Sequence, residues 1–163
     1  MATAGVDEVG RGALFGPVVA AAVVLLPDVE PWLRQQGVAD SKALTPKKRQ
    51  ELVAIIESAS IDTQIGWVSV RQIDRINILQ ASLKAMRQAV NRLSPRPTQC
   101  LVDGNQPIPE LGIEQQTVIK GDQTVVAIAA ASILAKVWRD TLIVRLARRY
   151  PGYDLASNKG YGS

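Results

Sequence analysis

Histidine is missing altogether from these 163 residues. That excludes the histidine-based catalytic triads and the usual zinc sites in one step. A single cysteine, Cys100, leaves no intramolecular disulfide to form and fits a reducing cytoplasm, the compartment expected here. Its plainest role is that of a small buried side chain on a strand. The apolar run Val18 to Leu26 is too short to cross a bilayer, which takes about 20 residues. Nor does it read as a secretory signal, because Asp7 and Glu8 stand where such a segment needs positive charge, and Pro27-Asp28 follows it without a small-residue cleavage site. Internal repeats, low-complexity segments and linkers are also missing, so residues 1–163 are expected to form a single domain.

What is present is an ordinary apolar fraction, 47%, enough for a real core, and a net charge of +4 that leans towards an anionic partner. The most informative stretch is Gly5-Val6-Asp7-Glu8-Val9-Gly10-Arg11-Gly12. Two adjacent carboxylates cost electrostatic energy unless a cation sits between them. The glycines around Arg11 let backbone approach a ligand closely. Gly10, Gly12 and Gly16 superficially match a dinucleotide-binding fingerprint, but that motif must open into a helix, and Pro17-Val18-Val19 reads as a strand.

Residues 2–9 and 18–26 are predicted to be strands joined as a hairpin, the second buried on both faces. Residues 28–44 read as an irregular connection. Thr45 and Pro46 cap and open a helix with Leu52, Ile55, Ile56 and Ala59 on one face. A third strand is expected within 61–70 and a second helix over 76–93, followed by strands 98–102 and 114–119. A long helix is predicted over 123–149, its first half buried and its second half, with Arg139, Arg145, Arg148 and Arg149, emerging into solvent. This order makes a mixed α/β domain.

Four acids stand at strand or helix ends: Asp7, Glu8, Asp103 and Asp122. In an open α/β sheet such ends converge on one crevice. Four hard oxygen donors without histidine or thiolate suit Mg²⁺ or Mn²⁺, and two such ions can clamp a phosphodiester without a protein nucleophile. Each acid also has a plainer role: Asp103 as a turn residue, Asp122 as a helix cap, Asp7-Glu8 as solvated charge at a strand end. Adjacent strand residues point to opposite faces, so Asp7 and Glu8 share a site only if the strand twists or ends there. Ser41 and Lys42 of Asp40-Ser41-Lys42, and the pair Lys136 and Arg139, are candidates to reach phosphates. Tyr161, between Gly160 and Gly162, can stack on a sugar or base while Lys159 meets a phosphate.

Asp7-Glu8-Val9-Gly10-Arg11-Gly12 with Gly16-Pro17-Val18-Val19-Ala20 resembles the opening of bacterial ribonuclease HII. The resemblance continues through Asp40-Ser41-Lys42, Ile76-Asn77-Ile78-Leu79-Gln80-Ala81, Val102-Asp103-Gly104 and Lys120-Gly121-Asp122. It ends with Ala129-Ala130-Ala131-Ser132-Ile133, then Lys136, Arg139 and Asp140, then Lys159-Gly160-Tyr161-Gly162. These blocks keep family order over essentially the whole chain.

The resemblance implies the ribonuclease H-like fold, a mixed five-stranded sheet flanked by helices. It implies Mg²⁺- or Mn²⁺-dependent hydrolysis of the RNA strand in RNA–DNA hybrids, and incision 5′ of single ribonucleotides embedded in duplex DNA, as in ribonucleotide excision repair. Asp7, Glu8, Asp103 and Asp122 would be both catalytic and metal ligands. Gly10, Arg11 and Gly12 would contact the ribose 2′-hydroxyl, and Tyr161 would pack on the adjoining sugar. A monomer is expected. The chain stops at Ser163, where family members usually continue through a helical segment that grips the duplex. Two other readings therefore stay open: a DNA-specific two-metal nuclease on the same fold, and a non-catalytic or weakly active nucleic-acid-binding module.

Overall fold

Val18–Leu25 carries apolar side chains at every position, which a strand tolerates only when both of its faces are covered. In the computed structural model, which describes residues 2–12 and 16–149, this strand (β2) is buried throughout. Val18, Ala20, Ala22 and Val24 face one apolar cluster, and Val19, Ala21, Val23 and Leu25 face the other. β2 pairs antiparallel with β1 (Thr3–Val9) on one side and with β3 (Asp62–Val68) on the other. β1 then pairs parallel with β4 (Gln99–Asp103), and β4 with β5 (Glu114–Val118), giving the sheet order β3-β2-β1-β4-β5.

Helices cover both faces. On one side lies α4 (Ile78–Asn91), burying Ala81, Leu83, Ala85, Met86, Ala89 and Val90. On the other lie α1 (Glu30–Gln35), α2 (Pro46–Ala59) and the long α6 (Val126–Arg149). Two glycines set the helix-to-sheet spacing. A Cβ on Gly5 would overlap the backbone of Ala127 in α6, and one on Gly66 would overlap the carbonyl of Ala85 in α4. Thr45 caps α2 as its sequence predicts, its Oγ1 accepting from the Lys48 amide at 3.1 Å, with Pro46 in the first turn.

Two expectations need correction, and one helix is additional. The connection 28–44 is not irregular throughout: it holds α1 and short 3₁₀ turns at Pro27–Val29 and Ser41–Ala43. Pro31 falls in the first turn of α1, where a missing N–H costs nothing. The helix predicted over 76–93 is α4, and an additional short helix, α3 (Val70–Ile76), precedes it and is divided from it at Asn77. Asn77 adopts φ 77° and caps α4, its side chain accepting from the Gln80 amide. With ψ 167° it lies outside the left-handed helical well, in a positive-φ region that residues other than glycine seldom adopt. The last helix is likewise preceded by a separate turn, α5 (Gly121–Thr124), and begins after extended Val125. Among the described residues no helix is long and apolar enough to cross a membrane.

Candidate active site

The ladder between β1 and β4 ends at Val6 and Val102. The next residue on each strand is an aspartate, Asp7 and Asp103, so the two strands part where the acids begin. β4 stays paired with β5 through Asp103 and Val118. The chain then turns into α5 through Lys120, a non-glycine residue in the left-handed region at φ 54°. The turn sets Gly121 against Ile128 and Asp103, and the Asp122 amide donates to Asp103 Oδ1 at 3.3 Å. One strand fork and one turn thus deliver acids from distant stretches to one place.

That place is a cleft of about 500 Å³. Asp7, Glu8, Asp103 and Asp122 line it together with Gly10, Arg11, Gly12, Ser41, Lys42 and Lys136. Asp7 and Glu8 both reach it although they are strand neighbours, since β1 has already lost β4 and ends one residue later.

The carboxylates sit uneasily. Asp7 is 5% exposed and Asp122 8% exposed. Burial is the largest influence raising the Asp7 pKa well above the usual range. The charges of Glu8 and Asp103 push the same way, against the Glu8 amide, which donates to Asp7 Oδ1 at 2.7 Å. Burial also raises Glu8, partly offset by the Arg11 guanidinium 3.6 Å away. Asp122 is raised by burial, then by Asp103 and Asp40. Crowded, half-dehydrated carboxylates of this kind favour a proton or a cation. The donors are all hard oxygens, which fits Mg²⁺ or Mn²⁺. Among the described residues no three acidic or thiol groups are drawn together tightly enough, as they stand, to hold one ion.

The cationic wall comes from two sources. Asp40 accepts from the Lys42 amide at 3.0 Å, opening the short turn that carries Ser41 and Lys42. Ser41 is fastened from behind: its Oγ meets Ser132 Oγ at 2.8 Å, and Arg49 Nη1 donates to its carbonyl at 2.8 Å. Lys136 extends from α6 and pairs with Asp140 at 3.3 Å. Ser132 and Arg49 also line the cleft, and sequence reasoning missed both. Arg49 could have been found, because it lies three and seven residues before Leu52 and Ile56 on the buried stripe of α2.

Arg139 departs from expectation. It does not emerge into solvent with Arg145, Arg148 and Arg149, all of which are exposed. It is 0% exposed, and its Nε donates to the Pro17 carbonyl at 3.0 Å. A place in the phosphate-facing wall is therefore not open to it. Lys159 and Tyr161 lie outside the described residues.

Comparison with known proteins agrees with this architecture. The family model described as Ribonuclease HII matches residues 4–163. The ribonuclease HII of Trichodesmium erythraeum is 64% identical over 161 residues, which is 99% of this chain and 76% of that protein. The ribonuclease HII of Acaryochloris marina is 63% identical over 98% of this chain and 81% of its own length. Among solved structures, the ribonuclease H2 from Pyrococcus horikoshii superposes with a TM-score of 0.85 at 31% identity, covering 100% of this chain and 82% of that one.

Proposed function

The chain belongs to the ribonuclease HII family, and from that premise we propose that it incises duplex DNA on the 5′ side of single embedded ribonucleotides, besides hydrolysing the RNA strand of RNA–DNA hybrids. It is a metal-dependent endoribonuclease of the ribonuclease H type. The observation that carries the finer reading is the gathering of Asp7, Glu8, Asp103 and Asp122 in one cleft beside the Gly10-Arg11-Gly12 turn.

In this reading the four carboxylates hold two Mg²⁺ or Mn²⁺ ions. Such ions, when bound, supply a clamp on the attacking and leaving oxygens of an in-line phosphodiester displacement. The rest falls to the chain. Asp7 and Asp122 contribute charge whose burial is offset only by a cation. Lys42 and Lys136 stand at the cleft to meet flanking phosphates. The backbone of Gly10-Arg11-Gly12 reads the ribose 2′-hydroxyl, the group that physically distinguishes a ribonucleotide from its DNA neighbours. Arg11 is held towards the acids by Glu8. Ser41 positions Lys42 through its buried contacts with Ser132 and Arg49. Lys159 and Tyr161 complete the grip on the sugar and the adjoining phosphate. The described elements build one sheet with two helical layers, which supports treating residues 1–163 as one catalytic domain.

The test is a duplex carrying one ribonucleotide, incubated with Mg²⁺ or Mn²⁺ beside an all-DNA control. Cutting of the first alone, leaving 3′-hydroxyl and 5′-phosphate ends, is expected. Equal cutting of both would replace the reading with a DNA-directed nuclease, and binding without turnover would replace it with a binding module.

A further inference from the structure

A fully buried arginine requires explanation, because its guanidinium stays charged and its lost hydration is offset only when its donors are used. Arg139 is among the largest fully buried side chains of the described residues. It lies on α6 three residues beyond Lys136 and seven beyond Ser132, both of which line the acidic cleft. Positions spaced by four and three share one helix face, so Arg139 continues the polar stripe that looks towards the site.

Its reach is towards the connection between β1 and β2. Nε donates to the Pro17 carbonyl at 3.0 Å. Gly10 and Gly16 both have φ 96°, and both are pressed against the same side chain. A Cβ on Gly10 would lie 2.7 Å from Arg139 Nε, and one on Gly16 would lie 2.5 Å from Ile143 Cδ1 and 2.9 Å from Arg139 Nη2. Glycine at these positions is thus required twice, by the backbone conformation and by the guanidinium beneath it. Arg139 is not among the residues that line the cleft.

We propose that Arg139 is a positioning residue for ribonucleotide selection: its guanidinium braces Gly10 at one end of the β1–β2 connection and Gly16-Pro17 at the other, holding the Gly10-Arg11-Gly12 turn in the pose that meets the sugar. The selective role rests on the reading that this turn senses the 2′-hydroxyl; the bracing itself does not.

Arg139→Lys tests both parts, because lysine keeps the charge and loses the planar fork. Amide hydrogen exchange is followed at Gly10, Arg11, Gly12 and Gly16, with the β2 amides as an internal reference. Alongside it, kcat and KM are measured at saturating Mn²⁺ on a single-ribonucleotide duplex and on an RNA–DNA hybrid. Faster exchange confined to the turn is expected, with at least a tenfold fall in kcat/KM on the single-ribonucleotide duplex and a smaller fall on the hybrid. Mn²⁺ affinity by calorimetry should stay as in the unaltered protein. Unchanged exchange at the turn would overturn the bracing, and an unchanged ratio between the substrates would overturn the selective role. If the unaltered protein ignores the single ribonucleotide, the substrate reading fails and the exchange result still decides the bracing. Should Arg139→Lys not fold, Arg139→Gln, which keeps a planar donor but falls short of Gly16-Pro17, is read in the same way. The same loss of protection and selectivity is expected, and normal values for both would sink the proposal.

Discussion

Asp7 and Arg139 are both charged, both buried, and both sit beside the same stretch of backbone. They differ in how the charge is met. Arg139 gives its Nε proton to a fixed carbonyl. Asp7 has one short bond from the Glu8 amide and otherwise faces further acids. One residue is a settled strut and the other an unsettled charge whose pKa is driven up. The difference separates what the fold needs in order to stand from what it keeps in reserve for a cation.

The hardest way to break that contrast is to neutralise the unsettled partner. Asp7→Asn, or Asp122→Asn, should keep the fold and lower cleavage by roughly a thousandfold, about 4 kcal/mol of transition-state stabilisation. Activity near the unaltered rate at ordinary Mn²⁺ would mean that the charge is not what the site uses.

A second, smaller effect concerns stability. A carboxylate whose folded pKa is raised binds its proton more tightly in the folded state than in the unfolded chain. Its contribution is therefore fully favourable at low pH and is lost as pH rises from the ordinary carboxylate range, about pH 4, through the raised value. Without metal, the melting temperature should fall across that interval, and Asp7→Asn should flatten the fall. The gain at neutral pH should be ~1–2 kcal/mol for Asp7→Asn, a few degrees in a chain of this size. Mn²⁺ should stabilise the unaltered protein more than the variant. Parallel melting curves with EDTA and with Mn²⁺ measure both, and a pH-independent metal-free protein would contradict the crowding described here.

The smallest effect probes a settled pair without charge. Ser41→Ala or Ser132→Ala alone leaves one buried hydroxyl without its mate and should cost ~1–2 kcal/mol. The double variant should cost less than the sum of the two, and denaturant melts of all three would expose strict additivity if the hydroxyls act independently.

Much of the scaffold can be read from local chemistry. The unbroken apolar run of β2 implies two covered faces, and Thr45-Pro46 implies a helix start. Which acids would share a cleft can also be read, since each stands at the end of an element; what each does there is the proposal above. Other features resisted because tertiary contacts decide them. The short α3 lies ahead of the helix that periodicity announces, and only the observed backbone shows it giving way to α4 at Asn77. Pro31 and Gly37 look like breakers but leave room for the short α1 between them. Arg139 looks like surface charge beside Arg145 and Arg148, and only its spacing from Ser132 and Lys136 hints otherwise.

The parallel seam between β1 and β4 has a consequence for biosynthesis. β1 and β2 can form their hairpin as soon as they leave the ribosome, yet the other rim of β1 has no mate until residue 99 has been made. An unmated rim on an apolar ribbon invites adhesion to other chains. Throughout that interval Asp7 and Glu8 also lack Asp103 and Asp122, so a half-translated chain is at once sticky and harmless.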